Sequence, residues 1–330
     1  MNYPQSKQIL KEINNAKKIL INCHRGPDPD SIGSSLALSN IVNKLGKTPV
    51  IICPSDIPSD LKFLKGAENI NKVDYSSFDF TDYDLFLVID SASYSMVSGS
   101  NDLRQPDIPI IVLDHHISNT GFGFINLIAA STTSTAELLC KIFEDWKIKI
   151  DSDTAESLLT GIIGDTGSFQ YQNVGKETFI IASNLIEYGA NKDKIIYNVY
   201  RNVSLGEIKI WGKIIENMQI DEKNHFVWSV ITVNDCKNYV GSDSAKEDAA
   251  NLFFPIVKNT DFGIIMEEKD NGMLSVSFRS RSDFDVSKIA GELGGGGHKA
   301  AAGARIESME FNDAVEKVLK AARKYANKTS

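Results

Sequence analysis

PIIVLDHH, residues 109–116, decides how this chain is to be read. Its first five residues form a short apolar run, and its last three are one acid and two imidazoles. Three other runs share the design: KILINC at 18–23, PVIIC at 49–53 and LFLVID at 85–90. Runs this short, rich in Ile and Val and bounded by Pro, Gly or Asp, suit strands buried on both faces. Between the first two of them, Ile32, Leu36, Leu38, Ile41, Val42 and Leu45 recur near helical spacing, and Gly46 follows as a stop. Strands separated by helices predict a parallel α/β sheet.

Helical spacing returns over residues 134–146, 153–163, 176–188 and 192–200. GIIGDTGS at 161–168 is too rich in glycine to read as all helix, so Asp165 is expected in a turn. Ser204 and Glu207 fit a capping box. Behind them Leu205, Ile208, Trp211, Ile215 and Met218 make one apolar stripe.

The second half looks different. FVWSVITV (226–233), TDFGIIM (260–266) and MLSVSF (273–278) resemble strands, and Asp270-Asn271-Gly272 is a hairpin turn. A short helix over 284–293 runs into four glycines, and 311–325 reads as a closing helix. The expected layout is an α/β domain over 1–190, linker helices over 191–220 and a smaller α+β domain over 221–330. Two domains suit a length of 330 residues.

The formal charge of −8 argues against coating long duplex DNA, which relies on many Lys or Arg contacts to phosphates. A short anionic substrate in a local positive pocket remains compatible with it. Cys23, Cys53, Cys140 and Cys236 form no C-x-x-C pair, so neither a disulfide framework nor a zinc finger is expected. Cys23 and Cys53 read as buried thiols. No run reaches the roughly 18 apolar residues of a membrane span, and the first residues lack the pattern of a secretory signal. A reducing cytoplasm is the expected setting.

In an open parallel sheet, ligands sit beyond the carboxyl ends of the strands. Four acidic or imidazole clusters fall there or in adjoining loops: His24, Asp28 and Asp30 after KILINC, then Asp90, then Asp114-His115-His116, and finally Asp165. An Asp after a strand is often only a cap or turn residue. Histidine, however, occurs five times in the chain, and three of the five stand beside acids at strand ends. His225, in a polar turn, reads as an ordinary surface residue. Mixed imidazole and carboxylate donors without thiolate suit Mn²⁺, and less exclusively Fe²⁺, Co²⁺ or Mg²⁺. His24, Asp28, Asp30, Asp90, His115 and Asp165 are too many for one ion with open positions. They match two ions sharing one carboxylate, a pair that clamps a phosphoryl group.

In their order and spacing, His24-x-x-x-Asp28-x-Asp30-x-x-Gly33-Ser34, Asp90, Asp114-His115-His116 and Asp165 resemble the four motifs of the DHH phosphoesterase superfamily. Gly294-Gly295-Gly296-Gly297-His298 resembles the signature of the DHHA1 second domain. The resemblance spans nearly the whole chain. It implies that His24 and Asp28 hold one manganese, that Asp30, His115 and Asp165 hold another, and that Asp90 bridges them. It makes Asp114 a supporting residue that orients histidine, and His116 a catalyst facing the phosphate. In the second domain it implies Arg279, Gly295, Gly296, Gly297 and His298 as substrate contacts, the glycines forming an anion nest. Pro29 departs from the glycine frequent at that position in the superfamily.

The function so implied is hydrolysis of short oligoribonucleotides, dinucleotides or 3′-phosphoadenosine 5′-phosphate in a cleft between the domains, with Mg²⁺ or Co²⁺ as possible substitutes for manganese. The competing readings are a pyrophosphatase or exopolyphosphatase and a non-catalytic nucleotide sensor. The sequence gives no oligomeric state.

Overall fold

The computed structural model describes residues 2–239, 245–281, 283–297 and 299–326. Contacts divide the chain into two units, Met1–Asn202 and Val203–Ser330.

The first unit opens with helix α1 (Ser6–Asn15) and strand β1 (Lys18–Asn22). Then come α2 (Pro29–Lys44), β2 (Thr48–Cys53), β3 (Asn71–Lys72), β4 (Leu85–Ile89), α3 (Tyr94–Ser98), β5 (Ile110–Asp114) and β6 (Ile125–Ile128). Four helices close it: α4 (Thr135–Asp145), α5 (Ser152–Asp165), α6 (Lys176–Glu187) and α7 (Lys192–Tyr200). The strands make one six-stranded sheet in the order β3-β2-β1-β4-β5-β6, and every pairing is parallel. Order reverses between β1 and β4, so the carboxyl ends open a crevice at that point.

The apolar runs are buried on both faces, as their lack of polar alternation predicts. Ile19, Ile21, Leu87, Ile111 and Leu113 join one core with α2, α4 and α5. Their neighbours Leu20, Phe86, Val88, Ile110 and Val112 join another on the opposite face. Cys23 and Cys53 are buried free thiols.

The glycine-rich stretch departs from the sequence reading. Helix α5 runs unbroken through Gly161 and Gly164, and Asp165 is its last residue rather than part of a turn. The glycines are there for close approach. A Cβ on Gly161 would lie 2.5 Å from Asp30 Oδ1, and one on Gly164 would lie 2.5 Å from Pro29 Cβ. Helix α2 thus lies directly against α5. Pro29 sits at the start of α2, where the missing N–H costs nothing and the fixed φ suits a helix.

The second unit holds α8 (Leu205–Glu216), β7 (Gln219–Asp221), β8 (Phe226–Ile231), α9 (Val233–Cys236), α10 (Ala245–Phe253) and β9 (Phe262–Glu268). It continues with β10 (Leu274–Ser280), α11 (Ser287–Glu292), β11 (Gly296–Gly297), β12 (Ala301–Ile306) and α12 (Phe311–Ala326). Its mixed sheet runs β11-β12-β10-β9-β8-β7, with β8 and β9 parallel and the other pairs antiparallel. The smaller α+β unit is therefore present, and Gly272 closes the β9–β10 hairpin at φ 76°.

Both bonds of the Ser204–Glu207 capping box form. The buried face of α8 is Ile210 and Ile214 rather than the full stripe: Leu205 is 70% exposed and Ile208 49%. The division between units falls inside the stretch read as linker helices, leaving α7 in the first unit and α8 in the second.

Candidate metal centre

Each cluster picked out at a strand end reaches the same crevice. β1 delivers His24, and Asp28 caps α2 by accepting from the Ser31 N–H at 2.9 Å. Asp30 lies in the first turn of that helix. Asp90 follows β4 with φ of 52°, a left-handed conformation unusual for a residue with a side chain. Asp114 ends β5, and α5 ends on Asp165.

Among the described residues, three sets of side chains bring donor atoms within 4.8 Å of one another: His24, Asp28 and Asp90; Asp30, His115 and Asp165; and Asp90, His115 and His116. Asp90 lies between the two imidazoles. Its Oδ2 is 3.5 Å from His24 Nε2, and its Oδ1 is 3.7 Å from His115 Nε2. Asp165 Oδ2 stands 3.0 Å from His115 Nε2, and His24 Nε2 stands 3.5 Å from Asp28 Oδ2.

The second nitrogen of His24 shows how the ring is aimed. Nδ1 lies 3.1 Å from the Arg25 carbonyl, which can only accept, so Nδ1 carries a proton and Nε2 is the nitrogen turned toward the carboxylates. His115 Nε2 is buried and has no hydrogen-bond partner, despite the carboxylate 3.0 Å away. A buried imidazole nitrogen surrounded by carboxylate oxygens and bonded to none of them fits a divalent cation as its missing partner.

The electrostatics agree. Burial, with Asp90 and Asp165 close by, pushes Asp30 well above the usual carboxylate range. Burial, together with Asp28 and Asp90, raises Asp165 to about 6 against the pull of His115. Burial opposes charge on His115, but Asp165 and Asp90 hold it up at about 10. Burial alone would raise Asp28 too, but His24, the Ser31 N–H and His116 together drive it to about 2. The mutual repulsion of these carboxylates is what divalent cations among them would relieve.

Asp114 belongs to none of the three sets and instead braces two of their members. Its Oδ1 accepts from His116 Nδ1 at 2.7 Å and from the His115 N–H at 2.8 Å. Its Oδ2 accepts from Asn119 Nδ2 at 2.6 Å, and the same amide reaches the Ser91 carbonyl at 3.0 Å.

Sequence reasoning missed Asn119. It also missed Thr135, whose N–H donates to Asp30 Oδ2 at 2.6 Å and whose hydroxyl donates to Asp90 Oδ1 at 3.0 Å. The Ala136 N–H completes the hold on Asp30 at 2.9 Å, so the positive end of α4 faces that carboxylate.

Of the second-unit candidates, Gly296 and Gly297 form the edge strand β11, and Arg279 is on β10, with β12 between them. Arg279 lies near the end of β10 and donates through Nε to Asn251 Oδ1 at 2.6 Å. The glycine run differs from the expected nest. The Gly294 and Gly295 N–H groups close α11 onto Gly291 and Ala290, and Gly296 and Gly297 pair with β12 as an edge strand. A Cβ on Gly297 would lie 2.6 Å from the Ala302 Cα, so that pairing demands glycine. His298 lies outside the described residues. His225, as expected, is exposed.

A family model described as the DHH family, N-terminal domain, matches residues 18–162, and one described as the DHHA1 domain matches residues 248–328. A Thermus thermophilus protein named bifunctional oligoribonuclease and PAP phosphatase NrnA is 28% identical, over 96% of this chain and 92% of its own. Its Bacillus subtilis namesake is 24% identical, over 93% and 95%. The crystal structure of an exopolyphosphatase-related protein from Bacteroides fragilis superposes with a TM-score of 0.91 at 26% identity, covering 98% of this chain and 96% of that one.

Proposed function

We propose that this chain, which belongs to the DHH family and carries a DHHA1 domain, is a phosphoesterase that hydrolyses short nucleotides with two divalent cations, best matched by manganese. The observation that carries the reading is Asp90, buried between His24 and His115 with one oxygen toward each. A carboxylate so shared is what two neighbouring cations need as a bridge. His24 and Asp28 would complete one position, and Asp30, His115 and Asp165 the other. When bound, such a pair neutralises phosphate charge and makes water a better nucleophile near neutral pH.

The protein's own groups do the rest. Thr135 and the first N–H groups of α4 fix Asp30 and Asp90, so the ligands are set before any cation arrives. Asp114 holds the His116 ring by Nδ1 and, against burial, favours its doubly protonated form, so Nε2 would be the proton donor to the leaving oxygen. In the second unit, Arg279 is the proposed phosphate contact through its planar fork, and Gly295, Gly296, Gly297 and His298 are its other proposed substrate contacts.

Short oligoribonucleotides and 3′-phosphoadenosine 5′-phosphate are the proposed substrates, supported by the names of the Thermus and Bacillus relatives. The second reading, hydrolysis of polyphosphate, is favoured by the likeness to the exopolyphosphatase-related protein of Bacteroides fragilis. The test is side-by-side incubation with Mn²⁺ and pApA, 3′-phosphoadenosine 5′-phosphate, cyclic di-AMP or tripolyphosphate. Faster turnover of pApA or 3′-phosphoadenosine 5′-phosphate is expected. A preference for tripolyphosphate would replace the first reading with the second.

A further inference from the structure

The crevice is one of two features on the carboxyl edge of the first sheet. The cation ligands stand over β1, β4 and β5. On the other side of the β1–α2 loop, over β2, β3 and the end of α3, lies a cavity of about 500 Å³. That is within the range of small-molecule sites.

The two features share a wall. Arg25 lines the cavity and is the residue after His24. Its N–H bonds the Met96 carbonyl at 2.8 Å, the Gly26 N–H bonds Ser55 Oγ at 3.0 Å, and Cys53 Sγ bonds the His24 carbonyl at 3.6 Å. Arg25 thus stands between the candidate ligand His24 and the cavity.

The lining indicates what the cavity takes. Pro54, Val73 and Leu103 contribute apolar walls, suited to the faces of a planar ring. Ser55 Oγ accepts from Gly26 and Ser100 Oγ accepts from Asp102, so each retains its own O–H to donate. Tyr75, also in the wall, has a buried hydroxyl with no hydrogen-bond partner. Such a lining favours a ligand rich in acceptors, such as ring nitrogens and ribose oxygens.

A second phosphate fits less well. Lys72 is tied to Asp56 at 2.6 Å, and Asp74 adds a carboxylate to the wall. Arg25, next to the cation ligands, is exposed and its guanidinium enters no hydrogen bond or ion pair among the described residues.

We infer that this cavity is a nucleoside subsite: it takes the base and ribose of the nucleotide whose phosphate lies at the cation centre, with Arg25 on the phosphate ester. The inference rests on the phosphoesterase reading for its phosphate end only.

The test is calorimetric titration of the whole protein in saturating Mn²⁺ with AMP, adenosine and inorganic phosphate, repeated on two cavity-filling variants. Ser76→Trp fills from an exposed wall position, and Ser100→Trp fills from a different loop. Each variant is first shown to melt cooperatively, and either alone decides if the other does not fold. The expected result is that AMP binds at least tenfold more weakly to a folded variant, adenosine binding is lost, and phosphate affinity stays within twofold. AMP affinity equal to wild type in a folded variant overturns the subsite, as does wild-type binding of AMP no tighter than phosphate. If the wild type hydrolyses no phosphate ester yet the variants lose AMP, the function reading fails and the cavity inference stands.

Discussion

Asp114 accepts a hydrogen bond from Nδ1 of His116 at 2.7 Å, and its remaining oxygen is held by Asn119. The two histidines of the triplet are thus held differently: His115 Nε2 lies 3.0 Å from Asp165, while His116 is bonded through Nδ1 to Asp114.

The first prediction follows from that brace. His116→Ala should lower kcat for pApA by about 10²–10⁴-fold, the range of a lost proton donor. Mn²⁺ affinity should stay within a few-fold, because His115 and the carboxylates remain. Asn119→Ala should give a smaller loss in the same direction, since it loosens Asp114 without removing it. Steady-state rates beside Mn²⁺ titrations check this, and a large drop in Mn²⁺ affinity for His116→Ala would assign it as a ligand instead.

A second prediction concerns the shared carboxylate. Asp90→Asn removes the charge that both cation positions use, so Mn²⁺ should no longer protect the protein against heat. For the wild type, Mn²⁺ at 100 times its Kd contributes about 2.7 kcal/mol. At roughly 2–4 °C per kcal/mol for a unit of this size, the melting temperature should rise by about 5–11 °C. The same rise in Asp90→Asn, read by scanning calorimetry, would remove Asp90 from the centre.

The third concerns helix contact. Gly164→Ala places a methyl group 2.5 Å from Pro29 Cβ. Overpacking of this kind costs about 1–3 kcal/mol. Because Pro29 begins the turn that carries Asp28 and Asp30, Mn²⁺ affinity should fall together with stability. Urea unfolding and metal titration test it, and loss of stability with unchanged affinity would separate the two.

The fourth is a pH dependence away from the centre. Glu137 is buried and accepts from Thr133 and Thr178 hydroxyls at 2.7 and 2.9 Å, with Lys141 Nζ at 3.0 Å. Burial alone would raise its carboxyl, but these partners hold it below the ordinary 4.5. The folded state therefore binds fewer protons than the unfolded one. The resulting stability is full above pH 4.5 and is lost as pH falls through the lower folded value. Glu137→Gln should cost about 1–3 kcal/mol at pH 7, and its deficit against wild type should shrink below pH 4.5 in urea melts. A deficit independent of pH would show that charge is not the cause.

Much of this was legible in the sequence, and the reasons are specific. The runs ending at Cys23, Cys53, Asp90 and Asp114 lack polar alternation because both sheet faces are covered, so they announce buried parallel strands and place the two acidic ends, Asp90 and Asp114. Asp165 was found for its chemistry but put in the wrong structure. Glycine allows a turn and also allows two helices to touch, and only Pro29 and Asp30 across the contact tell which. Asn119 and Thr135 gave no signal, because a neutral side chain holding a carboxylate from a distant segment leaves no periodicity. Strand β6 and the glycine edge strand β11 were hidden for a similar reason: they are short, and it is pairing that makes them strands.

The central claim is that two cations on these ligands hydrolyse a short nucleotide. The most direct test is the rate of pApA hydrolysis by chelator-stripped protein, followed as Mn²⁺ is added back and the bound ions per chain are counted. The account predicts no turnover in the stripped protein and full turnover only as the second ion binds. Turnover that persists without metal, or saturates at one ion per chain, would contradict it.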